Sequence, residues 1–556
     1  MSFTESSVPV EAMIPINIIP EPVSVVAGRG VFRLTQEAVV SVDYAVLDEA
    51  TLLLDQLRLA TGFGLQTASN NDTPNIVLRL EPEDDTLPHE GYRLTITENL
   101  IDLCASSPAG IFFGSQSLLQ LLPPAIFSRS AAHGQEWLMP CVRIIDFPRF
   151  AWRGAMLDVT RHFMPPVFLR KFIDLLALHK LNVLQLHLND DQAWRLEIRK
   201  YPRLTDVGGQ RRETLVGYAK QSPADADYDP SWQTFDGVPH KGVYSQDVMR
   251  DIVEYARVRH VTIVPEIELP GHATAAIAAY PELGCLDHPV EVSPTWGIHA
   301  NLFNAEENTI SFLQDVLTEV ADIFPSYYIH IGGDEAVKAQ WRASESCQRR
   351  IKELGLQNEA ELQSYMVRRM DEFLTGLGRR LVGWDEILDG GLAKNAVVMS
   401  WRGDRGGIAA AKMGHDVVMA PYQHTYLDYY QTSDFSGEPP AFPEVVTLRQ
   451  IYQFEPVPAD LPSEYARHIL GAQGQLWTEY MPNGRQVEYM AFPRLAALAE
   501  GTWSTAGAKD YAGFTARLDV HLHRLAALDV NYRKPGPEDL VETVEDKCEM
   551  DVVAVG

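Results

Sequence analysis

From Phe150 onward the chain repeats one unit: a short β-branched or apolar run, a polar break, then a stretch whose apolar residues recur at helical spacing. The strand-like runs fall at 154–159, 182–188, 262–267, 327–331, 380–384, 396–401, 416–419 and 469–476. Amphipathic stretches lie between them at 166–179, 246–260, 308–323, 360–377 and 405–413. Strands joined through helices are parallel, because a parallel pair needs a crossover connection. Eight of them predict a closed (β/α)8 barrel. That architecture constrains function as well, since the chemistry of such barrels sits at the C-terminal ends of the strands.

Residues 14–145 have another texture. Strand-like runs at 23–26, 38–42, 75–80 and 92–97 alternate with turn residues, and helical spacing occurs at 48–59 and 110–122. This predicts a small α+β domain at 14–145, followed by the TIM barrel at 148–506. A closing helix is expected at 489–499. Residues 507–556 are expected to form a C-terminal helix, at 514–528, and an acidic tail that is mobile at its end.

The strand ends carry the polar residues. The first strand is bracketed by Arg153 and by Asp158 and Arg161. The second leads into His187, Asp190 and Asp191, and the third into Glu266, Glu268 and His272. The fourth runs through two glycines into Asp334 and Glu335, and the fifth into Trp384, Asp385 and Glu386. Trp401 and Arg402 follow the sixth, Tyr426 and Asp428 the seventh, and Trp477 and Glu479 the eighth. Asp334 and Glu335 taken singly read as a helix N-cap with a first-turn acid. As a pair at a strand end they suit acid/base work, because two carboxyl groups in different surroundings hold different protonation states. Each tryptophan singly reads as core packing. Trp384, Trp401 and Trp477 together at strand ends suit the apolar faces of a pyranose, with Arg153, Asp428 and Glu479 for its hydroxyls. His187, His272 and His330 lie near acids, yet none of them belongs to an HxH or HExxH, so they read as supports for carboxylates and no metal is expected.

Composition narrows the partners. With Lys+Arg 47 against Asp+Glu 75, the formal charge is −28. Such a surface argues against nucleic acid or an anionic membrane. The five cysteines are scattered, with no CxxC, which is neither a disulfide framework nor a zinc site. No basic start followed by an apolar run opens the chain, and no stretch is long enough to span a bilayer. A cytoplasmic location is the expectation, with periplasmic or secreted placement left open, as is assembly into a homodimer.

At this point the residues resemble a family, the family 20 glycoside hydrolases or β-N-acetylhexosaminidases. The matching stretches are WRGAMLDVTRHF at 152–163, HKLN at 179–182, HLNDDQ at 187–192, PEIELPGH at 265–272 and HIGGDE at 330–335. Further on come GWDE at 383–386, YLD at 426–428, QLWTEY at 475–480, and FPR at 492–494 with Glu500 and Trp503. The resemblance implies retaining catalysis without an enzymic nucleophile: the 2-acetamido oxygen of the substrate attacks the anomeric carbon and forms an oxazolinium ion. It implies that Glu335 is the general acid and then the base. Asp334 orients the acetamido group, and Tyr426 donates to its oxygen. Trp384, Trp401 and Trp477 wall the pocket, while Arg153, Asp428 and Glu479 hold the terminal sugar. His187, Asp190, Glu268 and His272 form the supporting shell. No cofactor is implied, and the partner is an oligosaccharide with a terminal N-acetylhexosamine.

Two features depart from the pattern. Glu268 stands where the family usually has Asp, which bears on how His272 is held. The segments 205–244 and 422–462 are long and are expected to shape the leaving-group side. Two alternatives stay open: a carbohydrate-binding barrel without catalysis, and a barrel glycosidase in which Glu266 or Glu268 is a nucleophile opposite Glu335.

Overall fold

The computed structural model describes residues 14–68, 73–83, 86–218 and 233–540. Eight parallel strands close into a barrel: β1 (Trp152–Asp158), β2 (Val183–His187), β3 (Thr262–Glu266), β4 (Tyr328–His330), β5 (Arg380–Trp384), β6 (Val397–Ser400), β7 (Val417–Met419) and β8 (Ile469–Leu476). Closure is made by β8 against β1, with Gly471 opposite Trp152 and Leu476 opposite Leu157. Five of the strands are a residue or two shorter than the sequence suggests, trimmed at the floor as well as at the mouth.

The helices start where local chemistry allows. Ser245, Asn358 and Asn483 each accept a backbone N–H of the first turn of the helix they precede, at Gln246–Arg257, Glu359–Gly376 and Gly484–Ala491. In the first of these, Gln246, Met249, Ile252 and Ala256 are buried at spacings of three and four, which is the face laid on the barrel. The closing helix expected at 489–499 is two helices, Gly484–Ala491 and Arg494–Trp503. They part at Pro493, which has no N–H to continue the first.

The barrel interior is apolar at Val183, Val264, Val382, Val397 and Val418. A polar thread runs through it. Trp152 Nε1 donates to Gln473 (3.0 Å), Gln473 to Gln185 (2.8 Å), and Gln185 to Glu266 (2.8 Å). Each buried amide thus finds a partner, and Glu266 at the top is fixed from below.

Before the barrel stands a seven-stranded sheet, in the order Ser24–Arg33, Leu138–Asp146, Tyr92–Ile96, Ile101–Ala105, Ile76–Leu80, Val39–Val42, Gln66–Thr67. Helix Pro108–Leu121 packs on its central strands, with Leu47–Thr61 beside it. The sequence reading lacked three of these strands. Leu138–Asp146 contains Pro140, which argues against a paired strand, but Pro140 faces Val31 where the register shifts and its missing N–H is tolerated. The C-terminal helix Tyr511–Ala527 is no appendage. Its Arg524 donates to the carbonyls of Asn17 and Gln120, tying it to the first domain.

The joint between sheet and barrel is built from buried charges. Lys180 and Asp146 pair at 2.7 Å with both side chains fully buried, and Asp146 also accepts from Tyr92 and Trp503. Beside them Arg153 grips Glu90 with two hydrogen bonds, at 2.8 and 3.1 Å, and donates to the carbonyls of Lys180 and Phe150. Arg153 was expected on the substrate, and the structure overturns that. It is the second residue of β1, so it stands at the barrel floor, five residues or roughly 16 Å below the mouth. Arg153→Met, which leaves Glu90 without its cation, is expected to cost about 3–5 kcal/mol of stability, the range for breaking a buried pair. Chemical denaturation measures the loss, and KM of the folded fraction for a terminal aminosugar is expected to stay at the parent value; a large rise in KM would return Arg153 to the site.

Candidate active site

The site is built downward from the mouth. After β4 the chain turns through Gly332 (φ 65°) and Gly333 (φ 100°). A Cβ on Gly332 would lie 1.6 Å from a Glu268 carboxyl oxygen, so only glycine fits. The turn delivers Asp334 and then Glu335, which takes φ 47°, a left-handed conformation that side chains rarely adopt. His272, past β3, does the same at φ 48°. Its Nε2 stands 3.5 Å from Asp334 Oδ2 and 3.5 Å from Glu335 Oε2. The neighbouring acids, which would diverge on an extended strand, therefore converge on one imidazole. Asp334 is the more enclosed, with 11% of its side chain exposed against 30% for Glu335.

Beneath them runs a chain of buried carboxylates and imidazoles. His187 donates to Glu266 and Asp190, both at 2.9 Å. Asp190 also meets His272 Nδ1 (3.2 Å) and Arg161 Nη2 (2.8 Å). Asp191 meets His272 Nδ1 at 3.2 Å. Burial by itself would lower the pKa of His187, but Glu266 and Asp190 outweigh it and push it up to about 10. Burial is likewise outweighed at His272, chiefly by Asp190, and its pKa is raised well above the usual value. Both are imidazolium at neutral pH. Glu268 is the opposite case. Burial, then Asp334 and Glu266, push its carboxyl well above the ordinary range, and neither oxygen has a hydrogen-bond partner among the described residues. It is a neutral acid packed against the Gly332 turn.

The donor sets His187/Glu266/Glu268, Asp190/Asp191/His272 and His272/Asp334/Glu335 contain metal-ligating residue types. In each set the histidine already engages carboxylates through both ring nitrogens: His187 meets Glu266 and Asp190, and His272 meets Asp190 and Asp191 on one side and Asp334 and Glu335 on the other.

Across the mouth lies an aromatic wall. Trp384 Nε1 donates to Glu266 at 3.0 Å, and the rings of Trp384 and Trp477 are 6.0 Å apart. Trp401 donates to Glu386 at 2.9 Å and stacks 6.2 Å from Tyr426. Burial, then Asp428, hold the Tyr426 phenol well above its ordinary pKa, so it is a hydrogen-bond donor. Asp428 Oδ1 and Glu479 Oε2 are buried without a partner among the described residues. Arg161, 5% exposed, lies over the Trp477 ring (5.1 Å) and 3.9 Å from Glu479.

Of the expected site residues, Asp334, Glu335, Tyr426, Trp384, Trp401, Asp428, Trp477 and Glu479 lie on this mouth, with His187, Asp190, Glu268 and His272 beneath. Arg153 does not, and Arg161 occupies the place assigned to it. The signal was present: Arg161 follows the end of β1 by three residues. The long segments also differ from expectation. Residues 205–244 include the paired strands Gln210–Arg211 and His240–Lys241, while 219–232 lie outside the described residues. Segment 422–462 holds Tyr429–Tyr430, Phe442–Val445 and helix Leu448–Gln453. The two meet where the Tyr218 hydroxyl reaches the Tyr430 hydroxyl (2.9 Å) and Ala441 O (2.7 Å), beside Tyr480. That is the β8 side, diametrically across an eight-stranded barrel from Glu335 after β4, so the described parts of the two segments meet on the side opposite the acid.

Residues 150–506 match the catalytic domain of glycosyl hydrolase family 20, and residues 15–147 match domain 2 of the same family. The chain belongs to glycosyl hydrolase family 20. It is 42% identical over 528 residues to a β-hexosaminidase of Porphyromonas gingivalis, covering 94% of this chain and 65% of that one. The chain thus spans just under two thirds of that relative. A β-hexosaminidase of Vibrio furnissii is 35% identical over 501 residues, covering 89% of this chain and 77% of its own. The crystal structure of an exo-β-N-acetylglucosaminidase from Vibrio harveyi in complex with N-acetylglucosamine superposes with a TM-score of 0.81 at 32% identity, covering 95% of this chain and 80% of that one. Among the described residues no helix is long and apolar enough to cross a membrane.

The imidazolium chain makes stability depend on pH. A raised folded-state pKa at His187 contributes stability fully below its unfolded value of 6.5 and loses it as pH climbs through about 10. The melting temperature is expected to fall across that window, for a loss on the order of a few kcal/mol. His187→Gln is expected to melt lower at neutral pH with a flatter slope. A parent melting temperature that is level or rising over the window would rule out the imidazolium.

Proposed function

We propose that the protein is an exo-acting β-N-acetylhexosaminidase that removes terminal GlcNAc or GalNAc with retention, through an oxazolinium intermediate. The observation that carries this reading is the convergence of Asp334 and Glu335 on His272 Nε2 at 3.5 Å each, across the mouth from Arg161, Asp428 and Glu479. Glu335, the more exposed acid, protonates the leaving oxygen and then draws a proton from water. Asp334 faces the acetamido nitrogen, where positive charge develops, and Tyr426 donates to the acetamido oxygen. Trp384, Trp401 and Trp477 surround that arm and exclude water. The unpartnered oxygens of Asp428 and Glu479, with the Arg161 fork, fit sugar hydroxyls, whose hydrogen bonds they lack without a ligand.

A protein nucleophile is disfavoured by placement. Glu266 spends its oxygens on His187, Gln185 and Trp384, and Glu268 is fully buried and uncharged. A binding-only barrel would not need a strained acid at φ 47°.

Glu335→Gln is expected to lower kcat on chitobiose by roughly 10²–10⁴, the usual contribution of a general acid. A thiazoline mimic of the oxazolinium is expected to inhibit the parent tightly. Parent-like hydrolysis by the variant, or β-glucosides cleaved as readily as their N-acetylated counterparts, would sink the mechanism. Arg161→Lys keeps the charge and loses the planar fork, so KM for terminal GlcNAc is expected to rise about tenfold. An unchanged KM would remove Arg161 from sugar recognition.

A further inference from the structure

On the acid's own side of the mouth a cavity of about 280 Å³ adjoins Glu335 and is bounded by Ile298, Lys338, Gln363, Glu386 and Arg402.

 The acid protonates the glycosidic oxygen, so this cavity receives the leaving group, on the far side of the scissile bond from Arg161, Asp428 and Glu479.

Its walls differ from those of the sugar pocket. None of the described residues lining it is aromatic, so it offers a neutral pyranose no stacking face. It presents two cations on a chain whose formal charge is −28. Lys338 is partly buried, and its ammonium donates to Ala336 O at 3.3 Å. Among the described residues no carboxylate oxygen comes within 4.0 Å of it. Arg402 pairs with Asp385 at 2.8 Å through Nε and remains 44% exposed. Glu386 lies 3.7 Å from Arg402 Nε, and burial, then Asp334, push its carboxyl up to about 8, which reduces its opposing charge.

We propose that this cavity selects an anionic leaving group, a sugar carrying a carboxylate or a sulfate that pairs with Lys338 and Arg402. The inference rests on the hexosaminidase reading, in which Glu335 is the acid. Asp389, Glu386 and Glu359 act on this ammonium only from beyond contact, and a partly buried ammonium with no carboxylate in contact gains from a ligand that brings one, because the attraction is screened less than at an open surface.

The test compares kcat/KM for β-linked GlcNAc on three leaving sugars, glucuronic acid, 6-sulfated glucose and glucose, in the parent, Lys338→Met and Arg402→Gln. An aryl β-N-acetylglucosaminide reports that each variant is folded. The parent is expected to favour an anionic over the neutral leaving sugar by about fivefold at low ionic strength, and the preference is expected to shrink in either variant and in high salt. Preference for glucuronate or for sulfate supports the proposal and names the anion. Equal rates on all three sugars in the parent, or a preference left intact in both variants, would overturn it. If the parent leaves the aryl substrate uncleaved, the hexosaminidase reading fails instead.

Discussion

Asp190 holds the mouth together. Its carboxylate receives His187 at 2.9 Å, Arg161 at 2.8 Å and His272 at 3.2 Å, so one buried anion joins the ends of three barrel strands. Burial would raise its pKa, and Arg161 and His272 instead hold it well below the ordinary range. Isolated, each of these charges would be too costly to bury; together they satisfy one another. Asp334 and Glu335 are aimed by this arrangement, because both approach the far nitrogen of a histidine whose near nitrogen is anchored on Asp190 and Asp191.

The same logic divides the carboxyl groups of the site by state. Asp190, held by Arg161 and two histidines, and Glu266, held by His187, Gln185 and Trp384, are ionised. Glu268, facing Asp334 and Glu266, is neutral, and burial, then Asp334, push the Glu386 carboxyl up to about 8. Excess negative charge is thereby reduced beneath Asp334, the acid that the proposed mechanism sets against a developing positive charge. The extra methylene of Glu268 is accommodated by the bare Gly332 turn, where any Cβ would collide with its carboxyl.

Much of this was legible in the chain. The β/α period revealed the barrel, since alternating strand and helix leave few closed architectures. The strand ends then pointed to Asp334, Glu335 and the three tryptophans. Arg153 shows where such reading stops. Arg153 and Arg161 flank the same strand, and a list of flanking residues does not say which end of the strand faces substrate and which faces a neighbouring domain. Glu90, which holds Arg153, comes from the preceding domain, 63 residues away. The long segments pose the same difficulty: their length suggested a role at the mouth, but their side of it depends on Tyr218 reaching Tyr430, 212 residues on.

By itself the sequence determined the period of the fold, the residue types at the strand ends and the two glycines that let the chain turn into its acids, because these are local properties of backbone and side chain. Tertiary structure alone decided which charges are buried together, and therefore which acids are ionised, which arginine stands at the mouth and which lysine has no carboxylate in contact. Protonation and pairing depend on distances of a few ångströms between residues remote in the chain, and no local pattern encodes those.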